Sequence, residues 1–156
     1  MSCSQVMVLA DLQSVIGKSL AQASPHSRKV YGQNPLMAEE VLELANTHVL
    51  ILGATVGPEG KPHLSPVDVV AVEGAIYVGV DEATARYKNL KRNPAITIMI
   101  ADGWKRQAIL QGVARFLDSK SQQARKALEA EKEKYGWTTE AIFEFLPEKA
   151  FTWKAK

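Results

Sequence analysis

The sequence predicts a mainly β chain with peripheral helices, in which six or seven antiparallel strands close into a barrel and an added helix precedes it. Three observations carry this. Short apolar runs recur from residue 48 onward, separated by the tight-turn signals Gly57-Pro58-Glu59-Gly60, Glu73-Gly74 and Asp102-Gly103. The run Ala95 to Ala101 is apolar on both faces, with Ile96, Ile98 and Ile100 pointing one way and Thr97, Met99 and Ala101 the other. The chain has 156 residues, 46% hydrophobic and 23% charged. A domain of this size buries roughly 70% of the surface its unfolded chain exposes and needs no staple.

Residues 6 to 23 space Leu9, Leu12, Val15, Ile16, Leu20 and Ala23 three or four apart, the stripe of an amphipathic helical arm. Ala23 to Asn34 has no periodicity and reads as a linker, which sets the boundaries at 1–34 for arm and linker and 35–156 for the barrel. Asn34 is placed as N-cap and Pro35 as first residue of a short helix ending near Asn46, with Glu39 and Glu40 toward its positive end. Val49 to Leu52 begins the first strand, Pro62 to Val72 is the second and Ala75 to Val80 the third. Thr84 to Asn93 forms a short helix that Pro94 halts. Ala95 to Ala101 and Trp104 to Leu117 pair across Asp102-Gly103. Asp118 or Ser119 caps a helix through Tyr135, with Ala124, Ala127, Leu128, Glu131 and Tyr135 on one face and Gly136 just past its end. Ala141 to Leu146 alternates, Pro147 turns the chain, and Ala150 to Trp153 closes the sheet. The doubly apolar strand needs an outer cover, and a second copy of the chain is the expected one.

Composition removes several functions. Nineteen Lys and Arg against 17 Asp and Glu leave a dispersed +2, too little for nucleic-acid binding. No apolar run approaches the ~20 residues of a membrane span, and the N-terminus lacks a secretory pattern, so a cytoplasmic protein is expected. The lone Cys3 excludes an intrachain disulfide, and His26, His48 and His63 are too far apart in sequence for a metal motif. Ser65, Asp68 and His63 do not compose a hydrolytic triad, because strand neighbours two apart share a direction without facing each other. Trp104, Trp137 and Trp153 read as core or interface packing.

The segment Thr84-Ala85-Arg86-Tyr87-Lys88-Asn89-Leu90-Lys91-Arg92-Asn93-Pro94 sets a hydroxyl at a helix start before a cluster of cations, which suits a phosphate monoester. Donors there are the first-turn amides, the Thr84 hydroxyl and the Arg86 fork. A solvated basic helix with a good N-cap is the alternative reading of the same residues.

This segment resembles one element of the split-barrel flavoproteins related to pyridoxamine 5'-phosphate oxidase, and three others stand in the family's order. They are Ala54 to Val67 (Ala-Thr-Val-Gly-Pro-Glu-Gly-Lys-Pro-His-Leu-Ser-Pro-Val), Ile76-Tyr77-Val78-Gly79-Val80 and Arg106-Gln107-Ala108-Ile109-Leu110-Gln111-Gly112. The resemblance spans about residues 36 to 153 and implies a split β-barrel holding FMN at the seam of a homodimer. It assigns the flavin phosphate to Thr84 and Arg86, with Lys88 in place of a missing neighbouring cation. It assigns the ring to Gln107, and the ring and ribityl chain to backbone at Ser65, Pro66, Val67, Asp68, Gly79 and Val80, with small Gly79 permitting close approach. Ser65 stands where the oxidase has arginine, and the oxidase's C-terminal Arg-x-His-Asp-Arg signature is absent. A true pyridoxamine 5'-phosphate oxidase is therefore not expected. The implied activity is flavin hydride transfer with a small-molecule substrate, and no side chain nominates itself as general acid or base. The alternatives are an F420-dependent reductase and a non-catalytic flavin- or haem-binding redox sensor.

Overall fold

The structure is a computed structural model that describes residues 3–156, with side chains from Asp11 onward. Seven strands, β1 (Ile51–Val56), β2 (Pro62–Pro66), β3 (Asp68–Val72), β4 (Ala75–Val80), β5 (Ala95–Asp102), β6 (Arg106–Phe116) and β7 (Ala141–Lys154), make one antiparallel sheet. Their spatial order is β2-β1-β5-β6-β7-β4-β3. The two margins of this sheet, β2 and β3, are consecutive in sequence and joined by Val67 alone. The sheet must therefore curl until its margins meet at that residue, which gives the split half-barrel. The second strand expected over Pro62 to Val72 is thus two strands on opposite margins: Pro66 supplies no N–H to continue the ladder, and the Val67 amide turns to Ile51 O at 2.9 Å.

Turn chemistry fixes the register. Glu73 (φ 50°) and Gly74 (φ 84°) both sit in the left-handed region, as the two central residues of a tight β3–β4 hairpin require. Pro147 does not turn the chain. Gly112 pairs with Pro147 and Gln111 with Lys149, so Glu148 is an extra, bulged residue in one continuous β7. A Cβ on Gly112 would collide with Leu146 O, which is why the bulge needs glycine there.

Five helices cover the sheet: α1 (Cys3–Ala21), α2 (Pro25–Tyr31), α3 (Ala38–Ala45), α4 (Ala85–Arg92) and α5 (Gln122–Tyr135). The segment read as a linker contains α2, started by Ser24, whose Oγ accepts from Ser27 N, and by Pro25 at the first position. The next helix begins later than expected, because Met37 is its N-cap and Glu40 accepts from the Met37 amide at 3.1 Å. Asn34 serves elsewhere. Its Nδ2 donates to Lys154 O at 2.8 Å, and Lys154 N donates to Asn34 O at 3.0 Å. For α5 the cap is Ser121, not Asp118 or Ser119, since Asp118 Oδ1 instead accepts from Lys120 N.

The N-terminal arm packs against the body. Leu12 and Ile16 are buried in the main core cluster with Leu36, Val41, Leu44, Val78, Ile98, Leu110 and Phe143. Beyond Phe145, β7 pairs only with β6, and the N-terminal segment seals its other edge. Ser19 Oγ accepts from Ala150 N at 2.9 Å, and Thr152 Oγ1 both accepts from Leu36 N (2.8 Å) and donates to Leu36 O (3.2 Å). The free edge of β3 is sealed by side chains as well: Asn46 bonds the amide and carbonyl of Ala71 at 2.7 and 2.9 Å. A second cluster, with Val70, Tyr77, Leu117 and Ile142, lies beneath Ala124 and Ala127 of α5. No helix among the described residues is long and apolar enough to cross a membrane.

Candidate functional site

The joint between β2 and β3 is tightly packed. Val67 is folded into the core so closely that a Cβ on Gly53 would lie 2.7 Å from Val67 Cγ1. Arg86, in the first turn of α4, reaches back to this joint. Its Nη1 donates to Ser65 Oγ and, at 3.1 Å, to Pro66 O. Its Nε is buried without a hydrogen-bond partner, so the guanidinium holds unspent donor capacity beside the corner. Burial pulls Arg86 below its ordinary value, while Asp68 and Asp81 oppose that pull.

Thr84 caps α4. Its Oγ1 accepts from Tyr87 N at 3.2 Å and donates to Asp81 O at 2.7 Å. The hydroxyl proton expected to reach a phosphate is therefore engaged within the chain. The first-turn amides of Ala85 and Arg86 have no intrahelical acceptor. Lys88 is exposed and, two positions on, lies roughly 200° around the helix from Arg86. The structure does not bring those two cations together.

From its other side the corner is gripped by the end of α5. Tyr135 OH accepts from Val69 N at 3.1 Å and lies 3.2 Å from Val69 O, and Lys134 Nζ donates to Val69 O at 2.9 Å and Ala45 O at 2.7 Å. Burial brings Lys134 down to about 8. Trp137 Nε1 donates to Asp68 Oδ2 at 2.8 Å. Beneath them Glu131, 1% exposed, accepts from the amide and hydroxyl of Thr139. Burial raises its carboxyl above the ordinary range, the Thr139 bonds act against this, and Asp68 and Asp81 add to it.

Glu131 also settles what lies beside Gly79. A Cβ there would collide with Glu131 Oε2 and Thr139 Oγ1. The absent side chain admits the chain's own carboxylate, so the space expected for a ligand on that face is filled. Val80 is fully buried in the core. Gln107 alternates with buried Ala108 on β6, so it points away from the core, and its Nε2 donates to Gly103 O at 3.2 Å. Ser65 instead lies in the cross-strand row of Gly53, Ile98 and Leu110, the last two in the core. Within one chain, then, Ser65, Pro66, Val67, Asp68, Thr84 and Arg86 come together, while Gln107 stands on the face of the sheet opposite Ser65.

Sequence reasoning missed the α5 contribution. Trp137, Tyr135 and Glu131 sit far from the matched motifs, and the signal available was Gly136, whose left-handed cap (φ 82°) aims the chain back at β3. None of Trp104, Trp137 and Trp153 is buried in the core. Among the described residues, no group of three or more His, Cys, Asp and Glu is placed to hold a metal ion.

A seven-stranded split barrel with a basic helix start closing its corner defines a class, and the sequence places the chain within it. The family model of pyridoxamine 5'-phosphate oxidase matches residues 37–154, and the chain belongs to that family. No curated protein matches the sequence. Among solved structures, a heme-binding protein from Mycobacterium smegmatis is 19% identical with a TM-score of 0.61, over 78% of this chain and 59% of its own. An FAD-binding protein from Mycobacterium smegmatis is 16% identical with a TM-score of 0.56, over 76% of this chain and 95% of its own. An F420 reductase is 16% identical with a TM-score of 0.56, over 69% of this chain and 93% of its own. Likeness at these identities is a likeness of fold.

Proposed function

We propose that the corner around Arg86 binds the phosphate of FMN and that the chain works as a homodimeric flavoprotein oxidoreductase acting on a small molecule. The observation that carries this is the Arg86 guanidinium, half-buried at the β2–β3 joint with its Nε unpartnered. A half-buried cation with one donor left unpartnered favours an anion beside it, and a phosphate oxygen would supply the missing acceptor. When bound, the flavin supplies hydride transfer at its ring. The chain's own part is binding and orientation: Arg86 holds the phosphate, Thr84 fixes the helix start, and the backbone of residues 65–68 gives the ring an immobile wall.

The second copy is argued from the sheet. Pro66, Leu52, Met99, Ile109 and Phe151 form one cross-strand row over β2, β1, β5, β6 and β7 on the face away from the core. Tyr31 of α2 packs on Phe151 with ring centroids 5.2 Å apart, while Leu52, Met99 and Ile109 are half-buried and the neighbouring Leu64 is 64% exposed. Gln107 lies two residues along β6 from Ile109, in the next row on the same face, so a second copy docked there would bring its Gln107 to a seam rather than to the local Arg86. Sedimentation as a stable monomer at micromolar concentration would remove the dimer from the proposal.

The test of the cofactor is the absorbance spectrum of the purified protein, with mass analysis of the released ligand. Flavin bands and the mass of FMN support the reading. A single blue-shifted band indicates the deazaflavin F420 and a Soret band indicates haem, and either would replace it. Anaerobic titration with NADH or NADPH then separates a reductase, whose flavin bleaches, from a carrier or sensor, whose flavin stays oxidised.

A further inference from the structure

Trp137 is 53% exposed, yet it is held in place from two directions. Its indole N–H is tied to Asp68 at 2.8 Å, and its ring is stacked on Tyr135 with centroids 5.5 Å apart and planes 21° from parallel. Tyr135 is itself fixed, because its hydroxyl is engaged by the backbone of Val69. The other exposed aromatics differ. Trp104, 83% exposed, makes no hydrogen bond among the described residues, and Phe116 is covered by the Lys91 ammonium at 4.2 Å and by Phe143. An indole backed on one face, anchored at its nitrogen and left half-open is a preorganised stacking surface, for which little side-chain entropy remains to be lost on binding.

We propose that Trp137 is the platform on which the planar, fused heteroaromatic ring of the cofactor stacks. Asp68 connects the two halves of such a site, since it takes the indole proton and lies close enough to Arg86 to influence its titration. Phosphate and ring are thus gripped from opposite ends of one short stretch, residues 65–69, by α4 and by the end of α5. The proposal rests on the phosphate reading of Arg86 for which ligand reaches this corner, but it adds a residue outside every matched motif and assigns it the ring rather than the phosphate.

The experiment titrates wild type, Trp137→Ala and Trp137→Phe with FMN and with riboflavin, following the emission of the flavin. Trp137→Ala weakens both ligands by about tenfold and leaves the bound flavin brighter, because stacking on indole contributes to affinity and quenches emission. Trp137→Phe keeps a stacking face and stays within about threefold of wild type. If Trp137→Ala binds riboflavin within about twofold of wild type, the platform is overturned. It is overturned too if Trp137→Phe loses as much as Trp137→Ala, because the bond to Asp68 then accounts for the loss. The phosphate reading fails separately, when wild type binds riboflavin as tightly as FMN. A wild type that binds neither ligand overturns both.

Discussion

Leu12→Ala tests whether the N-terminal helix belongs to the folded body. Leu12 is 2% exposed and lies in the main core cluster. Truncating a buried leucine costs about 2–5 kcal/mol, the spread reflecting how far the site collapses. For a domain of this size each kcal/mol moves the melting temperature by about 2–4 °C, so a drop of about 4–20 °C is expected. The control is Lys18→Ala on the same helix, which is exposed and should stay within about 2 °C of wild type. Thermal melting followed by circular dichroism reads both. Removing residues 1–33 goes further, since it strips Leu12 and Ile16 from the core and takes the Ser19 acceptor from Ala150 N. The arm, which the sequence sets apart from the barrel by a linker, should then be required for a cooperative transition. A Leu12→Ala variant that melts with wild type would mean that the helix does not dock, and the core drawn around it would be wrong.

Three further outcomes follow from the same contacts. Glu131 has a raised carboxyl, so its contribution to stability is present below about 4.5, its unperturbed value, and is lost as pH rises through the higher folded value. Glu131→Gln should flatten that part of the profile of melting temperature against pH, and an unchanged slope would contradict it. Asn46→Ala bares the amide and carbonyl of Ala71 on the free edge of β3, and light scattering on warming should reveal faster association than in wild type. Gly112→Ala forces a Cβ onto Leu146 O at the bulge and should lower the melting temperature by more than an alanine at exposed Gln111.

The strands and their turns were legible because each is a local event. Ala75 to Val80 and the helix after Thr84 stand where the sequence placed them, and Glu73-Gly74 and Gly136 adopt the left-handed backbone their positions called for. What could not be read locally was partnership. Nothing in Pro62 to Val72 says that its halves join opposite margins of the sheet, a fact set by closure of the whole barrel. Pro147 carries a turn signal that the neighbouring β6 overrides by absorbing it as a bulge. Within the site, the helix start at Thr84 and Arg86 was visible as a pattern of residue types. Glu131 filling the space beside Gly79 was not, because the two are 52 positions apart and only the packing of α5 brings them together.

The central claim is that Arg86 holds the cofactor phosphate, and calorimetric titration of wild type and Arg86→Ala with FMN and riboflavin tests it most directly. Losing a charge-assisted contact of about 1.5–3 kcal/mol should weaken FMN by about 10- to 100-fold. Riboflavin, which lacks the phosphate, should bind both proteins within about twofold. Equal FMN affinity in the two proteins would contradict the account, leaving α4 a solvated basic helix whose arginine only pins the joint between β2 and β3.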